Sequence, residues 1–131
     1  MLESTAAARY MQIRAVTSTP GEILLALYDG LFRFLNAAKV CVERKQLPRA
    51  RELLSKANAI LSELTIALDH SAAPELCGQL DALYGFCIER VVVASRKADT
   101  APIDEVTRVL TPLREAWLIA VPKAHAEANR K

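Results

Sequence analysis

Apolar residues recur at three- and four-residue steps in four stretches of this chain, which are separated by short segments that contain turn-forming residues and proline. This spacing is typical of amphipathic helices, because residues three and four positions apart share one face. We expect helices over residues 19–44, 48–69, 73–98 and 102–121. Because short linkers make consecutive helices run mostly antiparallel, the pattern predicts an all-α fold, an antiparallel up-down four-helix bundle with a short N-terminal segment.

The length of the chain fits a single domain, residues 1–131, with one shared core. Residues 1–16 carry apolar side chains without strong helix caps, and we interpret them as either a flap that lies on the bundle or a frayed end. Residues 122–131 are predicted to form a polar tail. Hydrophobic residues make up 52% of the chain, which argues against disorder and provides more apolar surface than one small core needs.

The stretch that leads into the first predicted helix carries several helix-start signals. Thr19 is suited to the N-cap, Pro20 to the first helical position, and Glu22 to completing a capping box. These signals predict that the first helix begins here.

Asp29 and Gly30 interrupt the apolar stripe of that helix. Asp29 can pair with Arg33 one turn later, and Gly30 can let another helix approach closely, although glycine costs about 1 kcal/mol relative to alanine in a helix. The alternative is that Tyr28, Asp29 and Gly30 help shape a seat for a bound segment. Both interpretations remain open from the sequence.

Pro112 lies inside the fourth apolar stripe. A proline in a helix interior removes one ladder hydrogen bond and is unfavourable by about 3 kcal/mol. We expect either a kink at Pro112 or a first turn that packs separately.

The charge and the apolar pattern argue against two kinds of partner. Seventeen Lys and Arg residues oppose fifteen Asp and Glu residues, for a net charge of +2, so we do not expect a nucleic-acid partner. The first ten residues include Glu3 and lack the apolar region of a signal peptide, and no run reaches the ~18 apolar residues of a membrane span. We therefore expect a cytoplasmic protein with no membrane insertion.

No residue pattern in the sequence indicates catalysis or a cofactor. Di-iron bundles use Glu-x-x-His elements, and neither His70 nor His125 follows a Glu at that spacing. Cys41, Cys77 and Cys87 lack the short paired spacing of a zinc site and are predicted to be reduced core residues. We expect a binding protein and not an enzyme, with no metal and no cofactor.

Apolar residues outside the four stripes are the candidates for contact with a partner. Leu25 and Phe32 fall on one flank of the first helix. The third helix has such residues on both sides of its stripe: Ile88 and Val92 on one, and Ala82, Phe86 and Val93 on the other. This pattern fits either a central helix buried by its neighbours or a surface groove that accepts an amphipathic helix.

Several short motifs occur in a fixed order along the predicted helices. They are Thr17-Ser18-Thr19-Pro20, Leu27-Tyr28-Asp29-Gly30, Lys56-Ala57, Glu63-Leu64, Leu68-Asp69, Leu83-Tyr84, Arg90, Leu113-Arg114 and Ala116-Trp117. Together they resemble the FliS family of flagellar export chaperones, and the likeness spans about Tyr10 to Ala120.

The resemblance implies a cytoplasmic chaperone for the disordered C-terminal segment of flagellin. Such a protein prevents premature polymerisation of flagellin and assists its delivery to the export gate of the flagellar type III apparatus. On this interpretation the client-binding residues are Tyr10, Leu25, Tyr28, Phe32, Tyr84, Phe86, Ile88, Val92 and Val93. The alternative is a homo-oligomeric helical structural or adaptor protein, in the simplest case a homodimer, without a flagellin client.

Overall fold

A computed structural model describes residues 17–129, with side chains described through residue 122, and this part of the chain forms four α-helices. They are α1 (Gly21–Glu43), α2 (Leu47–Ile66), α3 (Pro74–Lys97) and α4 (Ala101–Asn129). The predicted all-α fold is confirmed. The predicted N-terminal flap, which includes Tyr10, lies outside the described residues.

The helices pack in a ring, in which α1 and α3 each contact both α2 and α4. Contacts between α1 and α4 show the direction of these two helices: Lys39 pairs with Asp104 at 2.8 Å, and Asp29 pairs with Arg114 at 3.6 Å. Because the α4 partner moves towards the N-terminus as the α1 residue moves towards the C-terminus, the two helices are antiparallel. Together with the short connections, this gives the predicted up-down bundle.

The core contains a hydrogen bond between helices on opposite sides of the ring. The Tyr28 hydroxyl on α1 lies 2.5 Å from the Tyr84 hydroxyl on α3, and the Tyr28 ring lies 6.5 Å from that of Trp117 on α4, between ring centroids. Burial raises the pKa of Tyr28 to about 12 and also raises the pKa of Tyr84. The three helices therefore meet around two satisfied phenol groups in an otherwise apolar core.

The three cysteines are buried thiols, as predicted. The Cys77 thiol donates a hydrogen bond to the Asp69 carbonyl in the linker between α2 and α3, at 3.2 Å. Cys87 is fully buried in α3, and burial raises the pKa of its thiol to about 11.

The prediction that Thr19 caps α1 is wrong, because the helix begins at Gly21 and its N-cap is Pro20. Proline offers no side-chain acceptor for the first N–H groups, and the Thr19 N–H instead donates to the Thr17 hydroxyl oxygen at 3.2 Å. The segment before α1 is held by the α2–α3 linker: the Ser18 N–H and hydroxyl both donate to the Ala67 carbonyl. These bonds hold the segment before α1 in place, but they do not act as a helix cap, because Ser18 donates in them and a cap accepts from the first helical N–H groups.

The end of the fourth helix also differs from the prediction, because α4 continues through Pro122 to Asn129. The expected polar tail therefore begins as helix. Proline removes one hydrogen bond from the ladder and crowds the carbonyl four residues earlier, but the turn before it is anchored in the core by Ala120 and Val121.

Pro112 lies within α4 without ending it. The idea of a separately packed first turn is wrong, because Ile103 and Val106 before the proline are buried in the same core as Trp117 after it. The carbonyl that loses its helical partner belongs to Arg108, an exposed residue, so water can bond to it. The kink stays a prediction.

Gly21 and Gly30 differ in how closely another helix approaches them. A Cβ atom at Gly21 would lie 2.7 Å from Cγ1 of Val121 on α4, whereas a Cβ atom at Gly30 would lie 3.5 Å from Cδ1 of Ile60 on α2. Ile60 therefore does pack near Gly30, but at a distance that alanine tolerates. The position at which close packing requires glycine is Gly21, which the sequence pattern did not single out.

These two glycines give a matched pair of substitutions. Gly21→Ala should destabilise the bundle by about 1–3 kcal/mol because the branched Val121 side chain has to shift. Gly30→Ala should stabilise it by about 0.5–1 kcal/mol through helix propensity. Urea denaturation of both variants checks the opposite signs, and equal effects at the two sites would contradict the packing argument.

Candidate binding surface on helix α3

The core-facing side of α3 is buried, but both of its flanks reach the surface of the described bundle. Phe86 is 39% exposed and Val92 is 46% exposed, while Ile88 and Val93 are half-buried. Within residues 17–122, α3 is therefore not a central helix covered by its neighbours. The apolar residues that the helical spacing placed outside the stripe lie at the surface or at its edge.

Ile88 and Val92 lie on the side of α3 that faces α2, next to an open depression of about 510 Å³. We call this depression the α2–α3 groove. It is lined by Arg51, Leu54, Ser55 and Asn58 from α2 and by Val91, Val92, Ser95 and Arg96 from α3.

Two hydrogen bonds cross between α2 and α3 beside this groove. Arg51 Nε donates to the Ser95 carbonyl at 3.2 Å, and Asn58 Nδ2 donates to the Ile88 carbonyl at 3.4 Å. The Asn58 Oδ1 atom is buried and has no hydrogen-bond partner in the described part of the chain. The groove thus combines apolar walls with polar groups that are only partly satisfied.

The opposite flank of α3 carries Phe86 and Val93 and faces α4. The position of Arg90 identifies this side, because its Nε lies 3.1 Å from Oε2 of Glu105 on α4. A polar link between α3 and α4 therefore accompanies the exposed Phe86 ring.

Leu25 and Phe32 are half-buried on α1 and pack against the core. The Arg114 guanidinium of α4 lies 5.2 Å from the centre of the Phe32 ring, within the range of a cation–π contact. Asp29 lies 3.4 Å from Arg33, the expected pair, and also 3.6 Å from Arg114. Leu25 and Phe32 therefore belong to a face beside α4 and do not join the α2–α3 groove.

Two of the expected client-binding residues are in the core. Tyr28 is 0% exposed and Tyr84 is 2% exposed, so neither side chain can contact a partner on the surface of the described bundle. Both lie on the central stripe of their helices and bond to each other. Gly30 is also buried, which leaves Asp29 as the exposed member of the proposed seat.

The sequence pattern alone does not identify several residues of the α2–α3 groove. Arg51, Ser55 and Asn58 follow one another at helical spacing beside the α2 stripe, and Asn58 comes directly after the buried Ala57. A line of polar residues next to an apolar stripe is a usable signal, but it also describes an ordinary solvated face. Only the residues of α3 that face this line distinguish a groove wall from a solvated helix face.

Within the described residues, no group of three or more His, Cys, Asp and Glu side chains could hold a metal ion. None of the described helices combines the length and the apolar content that crossing a membrane requires.

The sequence matches a known protein family over most of its length. Residues 3–124 match the family described as flagellar protein FliS. The flagellar secretion chaperone FliS of Bacillus subtilis is 36% identical over 112 residues, which is 86% of this chain and 83% of that protein. FliSB of Pseudomonas aeruginosa is 35% identical over 76% of this chain and 79% of its own length. The Salmonella typhimurium FliS is 31% identical over 88% of this chain and 86% of its own length. The chain therefore belongs to the family of flagellar protein FliS.

Proposed function

We propose that this protein is a flagellar secretion chaperone of the cytoplasm that binds the disordered C-terminal segment of flagellin. In this role it prevents premature polymerisation and delivers its client to a component of the flagellar export gate. Family membership supports the chaperone role, and relatives from three bacteria carry the name flagellar secretion chaperone. The structural observation that carries the proposal is the exposure of apolar residues on both flanks of α3.

The exposed flanks suit a client that folds as it binds. Covering apolar surface contributes about 25 cal/mol per Å², and an amphipathic helix lays its apolar face into such a groove. A disordered segment loses conformational entropy on folding, so it needs a large apolar surface to bind. Because both flanks of α3 are exposed, a long client segment can contact the bundle on both sides of this helix.

The proposed contact residues are those that the structure leaves accessible. Phe86 and Val93 provide one flank of α3, and Ile88 and Val92 provide the other. Leu25 and Phe32, half-buried on α1, are a second region of contact, and Tyr10 stays a proposal from the sequence. Tyr28 and Tyr84 support this surface from the core.

Titration with a flagellin C-terminal peptide tests the proposal. Binding should be saturable, should increase the helix signal in circular dichroism and should show a negative heat-capacity change, because apolar burial accompanies coupled folding. If the flagellin of the same bacterium gives neither binding heat nor a gain of helix, the chaperone proposal is wrong.

Phe86→Asp should weaken binding of that peptide by at least about tenfold, because a charge replaces apolar contact area on the flank of α3. The bundle should stay folded, since the Phe86 side chain is already partly exposed. Val40→Asp is a matched control: Val40 is 43% exposed and lies on α1. Equal weakening by both variants, or unfolding of Phe86→Asp alone, would contradict this role for Phe86.

Self-association is the second candidate, because apolar residues are also exposed away from α3. Three such residues are exposed in the described bundle: Ile66 at the end of α2, and Leu118 and Ile119 on α4. Light scattering of the purified protein over a range of concentrations separates the two ideas. A stable homo-oligomer that does not bind flagellin would favour the structural role.

A further inference from the structure

We infer that the α2–α3 groove selects a carboxylate in the bound client segment, and that Arg51 and Arg96 are the residues that bind it. This inference rests on the proposed chaperone function and adds a specificity element to it. The client segment then presents an acidic residue, or its own terminal carboxylate, next to an apolar side chain.

The α2–α3 groove carries positive charge. Its lining contains two guanidinium groups and no carboxylate. Arg51 and Arg96 form no ion pair within the described residues, whereas the neighbouring Arg49 and Lys56 both pair with Glu52, at 3.0 and 3.7 Å. Glu52 thus neutralises two basic residues outside the groove, whereas Arg51 and Arg96 have no acidic partner within the described residues.

The Arg51 guanidinium is held in place at the groove by a hydrogen bond to α3. Its Nε atom donates to the Ser95 carbonyl across the groove, which uses one of the five N–H donors of the guanidinium group. This bond restrains the guanidinium between α2 and α3 and leaves its terminal N–H groups free for another acceptor. A restrained arginine loses less conformational freedom when it binds a carboxylate, so it is a better anchor than a fully mobile one.

The remaining lining favours a peptide over a simple anion. Val92, which is 46% exposed, provides apolar contact area that an inorganic anion cannot use, above a floor formed by the buried Leu54 and Val91. A peptide segment carries a carboxylate and an apolar side chain together, and therefore matches both parts of the lining.

The test uses the full-length protein and the flagellin C-terminal peptide of the same bacterium. Arg51→Gln, Arg96→Gln and the double variant are compared with Arg108→Gln, which removes an equal charge from an exposed residue of α4 that forms no ion pair in the described part. The double variant should bind about tenfold more weakly or worse at low salt, since charge-assisted hydrogen bonds are lost. It should also show a smaller dependence of affinity on salt, while Arg108→Gln keeps both values.

A peptide series identifies the carboxylate. Each Asp or Glu of the peptide is changed in turn to Asn or Gln, and the terminal carboxylate is amidated. One of these peptides should lose the same affinity as the double arginine variant, and combining the two changes should add little further loss. Unfolding midpoints of all protein variants should remain within a few degrees of the wild type.

The outcomes separate the two levels of the argument. Wild-type binding that is insensitive to both arginines, or that shows no coupling to any carboxylate, overturns the inference and leaves the chaperone proposal standing. Failure of the wild-type protein to bind the peptide overturns both.

Discussion

Raising the pH from about 9 to about 12 should unfold this bundle, because folding holds buried tyrosine and cysteine side chains in their neutral forms. Burial raises the pKa of Cys87 from its usual 9.0 to about 11 and that of Tyr28 from 10.0 to about 12, and the pKa of Tyr84 is raised as well. A raised pKa means that the unfolded state releases its proton first. The associated stability is therefore complete below the unfolded-state values and is lost as the pH rises towards the folded-state values. For Tyr28 alone the loss is about 2 kcal/mol at pH 12.

Circular dichroism and tyrosinate absorbance, recorded together against pH, check this expectation. Loss of helix and appearance of tyrosinate should occur in the same pH range, since the core tyrosines ionise on unfolding. Cys87→Ala should reduce the loss of stability in the lower part of this pH range, because a thiol ionises before the tyrosines in the unfolded chain. The Cys77 thiol, whose pKa is also raised by burial, accounts for the remainder of that early loss. A bundle that keeps its full helix signal while all its tyrosines ionise would contradict the assignment of Tyr28 and Tyr84 to a closed core.

Replacing either Tyr28 or Tyr84 with Phe should destabilise the bundle by about 1–3 kcal/mol, whereas replacing both should be close to neutral. Each single change leaves a buried hydroxyl without the partner that it has at 2.5 Å in the wild type. Removing one partner incurs the full desolvation penalty of the other, but replacing both with apolar groups of similar shape avoids it. The double variant should also lose the tyrosine part of the alkaline transition.

Denaturant unfolding of the wild type, both single variants and the double variant forms a thermodynamic cycle for this pair. Because the residues are in direct contact, their effects should be strongly non-additive. Val40→Ala, a change at an exposed site, should stay within about 0.5 kcal/mol of the wild type. Additive losses from the two tyrosines would show that the hydrogen bond contributes little beyond the packing of the rings.

The sequence predicted the helices well, because their apolar stripes are long and regular. Helix bounds agree within about three residues, apart from the extension of α4 beyond Pro122. The missed features depend on residues that are far apart in the chain. The contact of Gly21 with Val121, and the hydrogen bonds from Ser18 to Ala67, arise only when different helices and linkers come together.

The candidate site was predictable in part. Phe86 and Val92 lie outside the α3 stripe by helical spacing alone, and both are exposed in the structure. Tyr28 and Tyr84 are not surface contacts, because both lie on the central stripes of their helices and each phenol hydroxyl finds its partner inside the core. Arg51 and Arg96 were missed because a groove requires two helices side by side, and periodicity describes one helix at a time.

The bond between Tyr28 and Tyr84 also affects how the bundle opens. It joins α1 to α3 across the ring, so the α1–α2 hairpin cannot separate from the α3–α4 hairpin without breaking it. The two hairpins therefore belong to one cooperative unit, in which the slowest amide exchange reports on global unfolding. A partner that binds on the flanks of α3 adds to a core that is already closed, so its entry does not require the hairpins to part.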